Sequence, residues 1–161
     1  MIPPPGRALH PEERAALLAD IEDIIRSSHL FKSLGEEGRT ELIESGYVVS
    51  YDEGQFLLEQ GQVGSTMFLI MQGSVSIETD RGAGNSIHLA ELGRGACIGE
   101  VSVLTGSPRT ATVKALSSVK VVAFEKHRVQ RVIDAHPKVR ALLETMIMGR
   151  ARDTVEKLIG G

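Results

Sequence analysis

The hydrophobic period of this chain runs helical, then alternating, then helical again. Between Pro11 and Ser28 the apolar residues fall at Leu17, Leu18, Ile21, Ile24 and Ile25, the three-to-four spacing that lines one face of an α-helix. Pro11 suits the first helical position because its missing N–H has no partner there anyway. Glu12 and Glu13 follow at the positive end of the helix dipole. Ser27 and Ser28 are expected to end this helix. Ahead of it, MIPPPGRALH reads as an extended, disordered lead-in over residues 1–10. A second short helix is expected from Glu36 to Ser45, with Leu42 and Ile43 inward and Gly46 as a left-handed cap.

From Tyr47 onward short β-branched and aromatic runs alternate with turn residues. The runs are Tyr47–Tyr51, Gln55–Glu59, Thr66–Met71, Ser74–Thr79, Ile87–Glu91, Thr110–Ala115 and Val119–Phe124, broken at Asp52-Glu53-Gly54, Gly61, Gly64, Gln72-Gly73 and residues 81–85. Strands this closely spaced, with no helix between most of them, predict an antiparallel roll rather than a parallel βαβ sheet. After Phe124 the helical period returns at Val129, Val132 and Ile133, stops at Pro137, and resumes at Val139, Leu142, Leu143, Met146 and Ile147. The expected fold is α+β: N-terminal helices over 11–46, an antiparallel jelly-roll-type β-roll over 47–124, and C-terminal helices over 125–161.

Composition narrows the function classes. The chain has 161 residues, 42% hydrophobic and 24% charged, with 18 basic against 21 acidic side chains, hence a formal charge of −3. That is the length of one domain of ordinary globular composition. A mildly acidic domain lacks the clustered positive charge on which nucleic-acid binding runs. Cys97 is alone, so it makes no intrachain disulfide and is expected to be a small buried hydrophobe, which points to the cytoplasm. No apolar run approaches the ~20 residues of a membrane-spanning helix, and the N-terminus has no signal-peptide core. The five histidines are scattered with no metal-ligand spacing. No nucleophile elbow or P-loop is present, so no catalytic residue and no metal site is expected.

The chemistry concentrates in residues 98–112, between two strand-like runs. Gly99 allows a backbone bend or a close approach. One helical turn after it presents unpaired N–H groups, which favour an anion. Arg109 offers a planar fork of donors matched to phosphate oxygens, Pro108 restricts its backbone, and Thr110 adds a hydroxyl. Glu100 does not suit a bare phosphate, since like charges repel. A ligand with hydroxyls at one end and a phosphate at the other, such as a sugar phosphate, accommodates both Glu100 and Arg109. The alternative is that the two side chains pair with each other across a turn.

This stretch resembles the phosphate-binding cassette of cyclic nucleotide-binding domains. In that family an aromatic-Gly-Glu-(Leu/Ile/Met)-Ala-Leu-Leu run is followed, after a short gap, by Pro-Arg-(Ala/Ser/Thr)-Ala-(Thr/Ser). Here it reads Ile98-Gly99-Glu100-Val101-Ser102-Val103-Leu104, then Thr105-Gly106-Ser107, then Pro108-Arg109-Thr110-Ala111-Thr112. The resemblance extends to Leu30-Phe31-Lys32-Ser33-Leu34, Tyr51 to Leu57, Glu59-Gln60-Gly61, Met67 to Ile70 and Gln72 to Val75, and covers roughly 30–143. Ile98 in place of the aromatic is expected to alter packing. Ser102 in place of alanine matters little, since that position acts through its backbone.

The resemblance implies a ligand-binding regulatory module with no cofactor, whose ligand is cAMP or cGMP. Glu100 would bind the ribose 2′-hydroxyl with help from the Gly99 backbone. Arg109 would bind the cyclic phosphate. Amides near Val101, Ser102 and Thr110 would complete the cradle. Thr110 can bond the amino group of a syn guanine, which keeps cGMP beside cAMP. The base lid would come from the last helix, with Leu142, Leu143, Met146 and Arg150 as candidates. Ligand binding is expected to move the flanking helices and so report to a downstream protein or a second copy. The chain ends at Gly161 with no room for a helix-turn-helix, so no nucleic-acid or membrane partner is expected. The alternative is a degenerate roll that serves as an interaction or dimerisation scaffold without a ligand.

Overall fold

The computed structural model describes residues 6–141 except 81, 83 and 84. Four helices come first: α1 (Pro11–Ala19), α2 (Ile21–Ser27), α3 (His29–Ser33) and α4 (Glu36–Ser45). The single helix expected before Ser28 is therefore broken at Asp20, whose backbone, at φ −95° and ψ 16°, leaves the helical region. Leu17 and Ile24 are buried on either side of the break, so the apolar stripe survives while its axis changes. α3 was not anticipated. It is only five residues long and starts because the Ser28 hydroxyl accepts from Phe31 N, a side-chain cap that helical periodicity does not reveal. Gly46 follows α4 in extended backbone, at φ −84° and ψ 168°, and not as the expected left-handed cap, because the chain passes straight into the next strand.

The strands are β1 (Arg7–Ala8), β2 (Tyr47–Tyr51), β3 (Phe56–Leu58), β4 (Thr66–Gln72), β5 (Val75–Asp80), β6 (Ser86–Leu92), β7 (Cys97–Ile98), β8 (Thr112–Ala115) and β9 (Val119–Glu125). They form a five-stranded sheet ordered β1-β2-β9-β4-β7 and a four-stranded sheet ordered β3-β8-β5-β6. Every pairing is antiparallel. The lead-in is more ordered than expected: Arg7 and Ala8 pair with Val48 and Tyr47, so this part of it extends a sheet. Two-residue strands such as β1 and β7 are too short to carry a two-residue period.

The central strands show why the roll needs its helices. In β4, Phe68 and Ile70 join the core between the sheets, while Met67 and Leu69 join the core under the helices. β9 repeats this, with Val121 and Ala123 on one face and Val122 and Phe124 on the other. A strand buried on both faces reads as a continuous apolar run. Leu30, Phe31, Leu42 and Ile43 cover the second face, and Phe31 meets Phe124 edge-on with centroids 5.9 Å apart. Between β7 and β8 lies α5 (Glu100–Thr105), and α6 (Lys126–Ala135) follows β9. α6 buries Val129, Val132 and Ile133 against the same core. The molecule is thus an antiparallel β-roll capped by helices. Among the described residues no helix is long and apolar enough to cross a membrane.

Candidate functional site

α5 begins where Gly99 takes a left-handed backbone at φ +78°. A non-glycine residue pays about 1–2 kcal/mol for that conformation, so the bend out of β7 into α5 depends on Gly99. At the end of α5 the chain turns through Ser107 and Pro108 and delivers Arg109. Backbone bonds then fix Arg109: its N–H donates to Gln62 O at 2.8 Å, and its carbonyl accepts from Gly61 N at 2.8 Å. Residues 61–62, in the loop between β3 and β4, therefore clamp the arginine's backbone.

Gly99, Glu100, Val101, Ser102, Arg109 and Thr110 all line one cavity of about 170 Å³, closed by Leu58, Ile77, Leu92, Ala111 and Val113. The apolar wall comes from the four-stranded sheet together with Cys97 and Ile98 of β7, and the polar wall from α5 and Arg109. Arg109 is 6% exposed. Its Nη1 donates to the Gly99 carbonyl at 3.2 Å and its Nη2 to the Thr66 carbonyl at 2.6 Å. Burial lowers its pKa from the ordinary arginine value, yet a guanidinium keeps its charge at any physiological pH. The site thus holds a desolvated cation whose own bonds reach neutral carbonyls. Ser102 is buried, with its hydroxyl 3.5 Å from the Pro108 carbonyl. Thr110 is exposed at the rim, and its carbonyl accepts from Thr79 Oγ1 at 3.4 Å.

Glu100 departs from the simplest expectation. Its backbone belongs to the cavity wall, but its carboxylate is turned to the junction of α2 and α3. Oε2 accepts from Ser28 Oγ at 2.6 Å, and Oε1 accepts from the His29 and Leu30 amides at 3.0 Å and 3.3 Å. The residue is 1% exposed. The acid and the base do not form a pincer around one space. Each charged head is bonded to a different part of the protein.

Several residues around the site were not singled out beforehand: Gly64, Thr66, Ser28 and the clamp at 61–62. Gly64 lies against the guanidinium, where a Cβ would stand 2.4 Å from Nη2. The Gly61-x-x-Gly64 spacing was visible as a turn signal, but its link to Arg109 was not. The lid candidates Leu142, Leu143, Met146 and Arg150 lie outside the described residues.

Comparison with known proteins matches this geometry to a family. The family model "Cyclic nucleotide-binding domain" matches residues 48–136. The chain is 31% identical over 103 residues to the cAMP-dependent protein kinase type II regulatory subunit of Drosophila melanogaster, covering 64% of this chain and 27% of that protein. It spans about a quarter of the length of the curated regulatory subunits it matches. Among solved structures, the Thermus thermophilus catabolite activator protein superposes with a TM-score of 0.69 at 26% identity, over 81% of this chain and 62% of that one. The regulatory domain of Toxoplasma gondii PKA with cAMP superposes with a TM-score of 0.69 at 19% identity, over 86% of this chain and 51% of that one. A helix-capped antiparallel roll, a Gly-Glu turn leading to a Pro-Arg pair whose arginine is buried, and a family match over more than half of its length make this chain a member of the cyclic nucleotide-binding domain family.

Proposed function

We propose that this domain is a sensor of cAMP, with cGMP as the competing ligand, and that it works by binding and not by catalysis. The observation that carries the reading is Arg109: a buried guanidinium beside α5, bonded to two backbone carbonyls. A desolvated cation gains strongly from a bidentate anion, and a cyclic phosphate supplies one. The α5 amides that lack intrahelical acceptors add donors. The apolar wall of Leu58, Ile77 and Val113 suits the face of the sugar, and Thr110 stands where a base reaches the rim.

Binding requires rearrangement. Pockets that hold small molecules run to roughly 300 Å³ or more, and this cavity is about 170 Å³. Arg109 uses two of its five N–H donors on the Gly99 and Thr66 carbonyls, so a phosphate is met by its remaining donors as the guanidinium and α5 shift to widen the cavity. Because α5 packs against α6, that shift is passed to the C-terminal helices, and through Glu100 to the N-terminal ones. The regulatory work equals the difference in affinity between the two arrangements. A ligand ~100-fold tighter for one of them moves the balance by about 2.7 kcal/mol. The reported state would be read by a downstream protein or a second copy.

Isothermal titration of the full chain with cAMP and with cGMP tests this. The expected result is saturable one-to-one binding that is lost in Arg109→Ala. Absence of heat with both nucleotides, at protein concentrations that register micromolar affinity, overturns it in favour of an interaction scaffold.

A further inference from the structure

The carboxylate assigned to the ribose is already bonded on the side away from the cavity. Ser28 Oγ donates to Glu100 Oε2 at 2.6 Å, and the His29 and Leu30 amides donate to Oε1 at 3.0 Å and 3.3 Å. A carboxylate offers about four lone-pair sites, and these three donors occupy most of them. Both residues are shut off from solvent: Ser28 is 2% exposed and Glu100 is 1% exposed. The same serine hydroxyl accepts from Phe31 N at 3.0 Å. Ser28 therefore serves two ends at once, capping α3 and holding Glu100. The bonded groups lie about 70 positions apart in the chain, so the link joins two elements that folding brings together.

We infer that Ser28 sets the affinity for the nucleotide by competing with the ribose hydroxyl for Glu100. The inference rests on the proposed site. A ribose hydroxyl can donate to this carboxylate only after the carboxylate leaves the α3 start. Part of the binding free energy is consumed in breaking that link, because the His29 and Leu30 amides then lose their acceptor. Ligand occupancy and the tie between α5 and α3 are thereby mutually exclusive. Hydrogen bonds to a charged acceptor are among the stronger ones in proteins, so the competition has a measurable size.

The test is titration of the full chain and of two variants with cAMP. Ser28→Ala removes the hydroxyl donor, and affinity should rise about tenfold, equivalent to ~1.4 kcal/mol. Ser28→Thr retains the hydroxyl and should bind like the parent. Thermal melts identify any variant that does not fold. A measurement on the unmodified chain needs no variant: amide hydrogen exchange at His29 and Leu30 should speed up when cAMP is added. Unchanged or weaker binding by a folded Ser28→Ala, or slower exchange at those two amides, overturns the competition while leaving the site intact. Failure of the unmodified chain to bind either cAMP or cGMP removes the site and this inference together.

Discussion

The backbone of Gly64 and the guanidinium of Arg109 lie in direct contact. A Cβ on Gly64 would stand 2.4 Å from Nη2 and 2.5 Å from Nε of Arg109. The contact is with the far end of a flexible side chain, so the arginine can move aside at small cost to the fold. Gly64→Ala is therefore expected to leave the melting temperature within a few degrees while displacing the group assigned to the phosphate. cAMP affinity should fall about tenfold, read by calorimetric titration. Unaltered affinity would mean that Arg109 does not use this seat.

Arg109 itself separates binding from folding. Its bonds go to the Gly99 and Thr66 carbonyls, and its removal also removes a desolvated charge. Arg109→Ala should leave circular dichroism unchanged and weaken cAMP binding by at least about 100-fold, two charge-assisted bonds at ~1.5 kcal/mol each. Arg109→Lys should not restore binding, since a single ammonium lacks the planar fork. Parent-like affinity in Arg109→Ala removes the site assignment.

In the proposed site Thr110 is the residue expected to bear on the choice of purine. Its exposed position at the rim leaves the hydroxyl accessible to a guanine amino group. Thr110→Ala should weaken cGMP binding by roughly 5- to 150-fold, the ~1–3 kcal/mol cost of leaving a hydrogen-bonding group without its partner, and leave cAMP binding within about twofold. Competition titration with the two nucleotides reads the ratio. An equal loss for both ligands would show that the hydroxyl does not read the base.

Acid should weaken the tie between Arg7 of β1 and Glu13 of α1. Glu13 receives two hydrogen bonds from Arg7, at 2.7 Å and 2.9 Å, and one from the His10 amide at 2.9 Å. The Arg7 bonds are the main reason that its pKa is lowered from 4.5 to about 2. The folded value lies below the unfolded one, so the stabilisation is whole above about pH 4.5 and fades as the pH falls toward 2. Glu13→Gln should be less stable than the parent at pH 7, with the difference closing across that window. Denaturant melts at several pH values measure it, and a gap that does not vary with pH would contradict the assignment.

How far the chain could be read from its letters depends on range. The α4 span, the strand runs from Tyr47 to Phe124 and the halt at Pro137 follow from period and punctuation, which act over a few residues. The Gly99-Glu100 and Pro108-Arg109 dipeptides were equally plain, because each residue type suits its local backbone and the chemistry of a sugar phosphate. Asp20, β1, β7 and α3 were missed or misjudged. Each is too short for a period, and tertiary contacts decide whether it forms.

The direction of Glu100 marks the boundary. Residue order alone places a carboxylate at 100 and a guanidinium at 109, flanking one helical turn, and names a sugar phosphate as the natural occupant. Only the assembled fold turns that carboxylate toward Ser28, His29 and Leu30, and seats Arg109 on Gly64 and the Thr66 carbonyl. The reason is physical. A local pattern can specify which groups a turn carries, but a buried polar group bonds whatever donor or acceptor the packing brings within ~3 Å, and those partners come from distant stretches of chain.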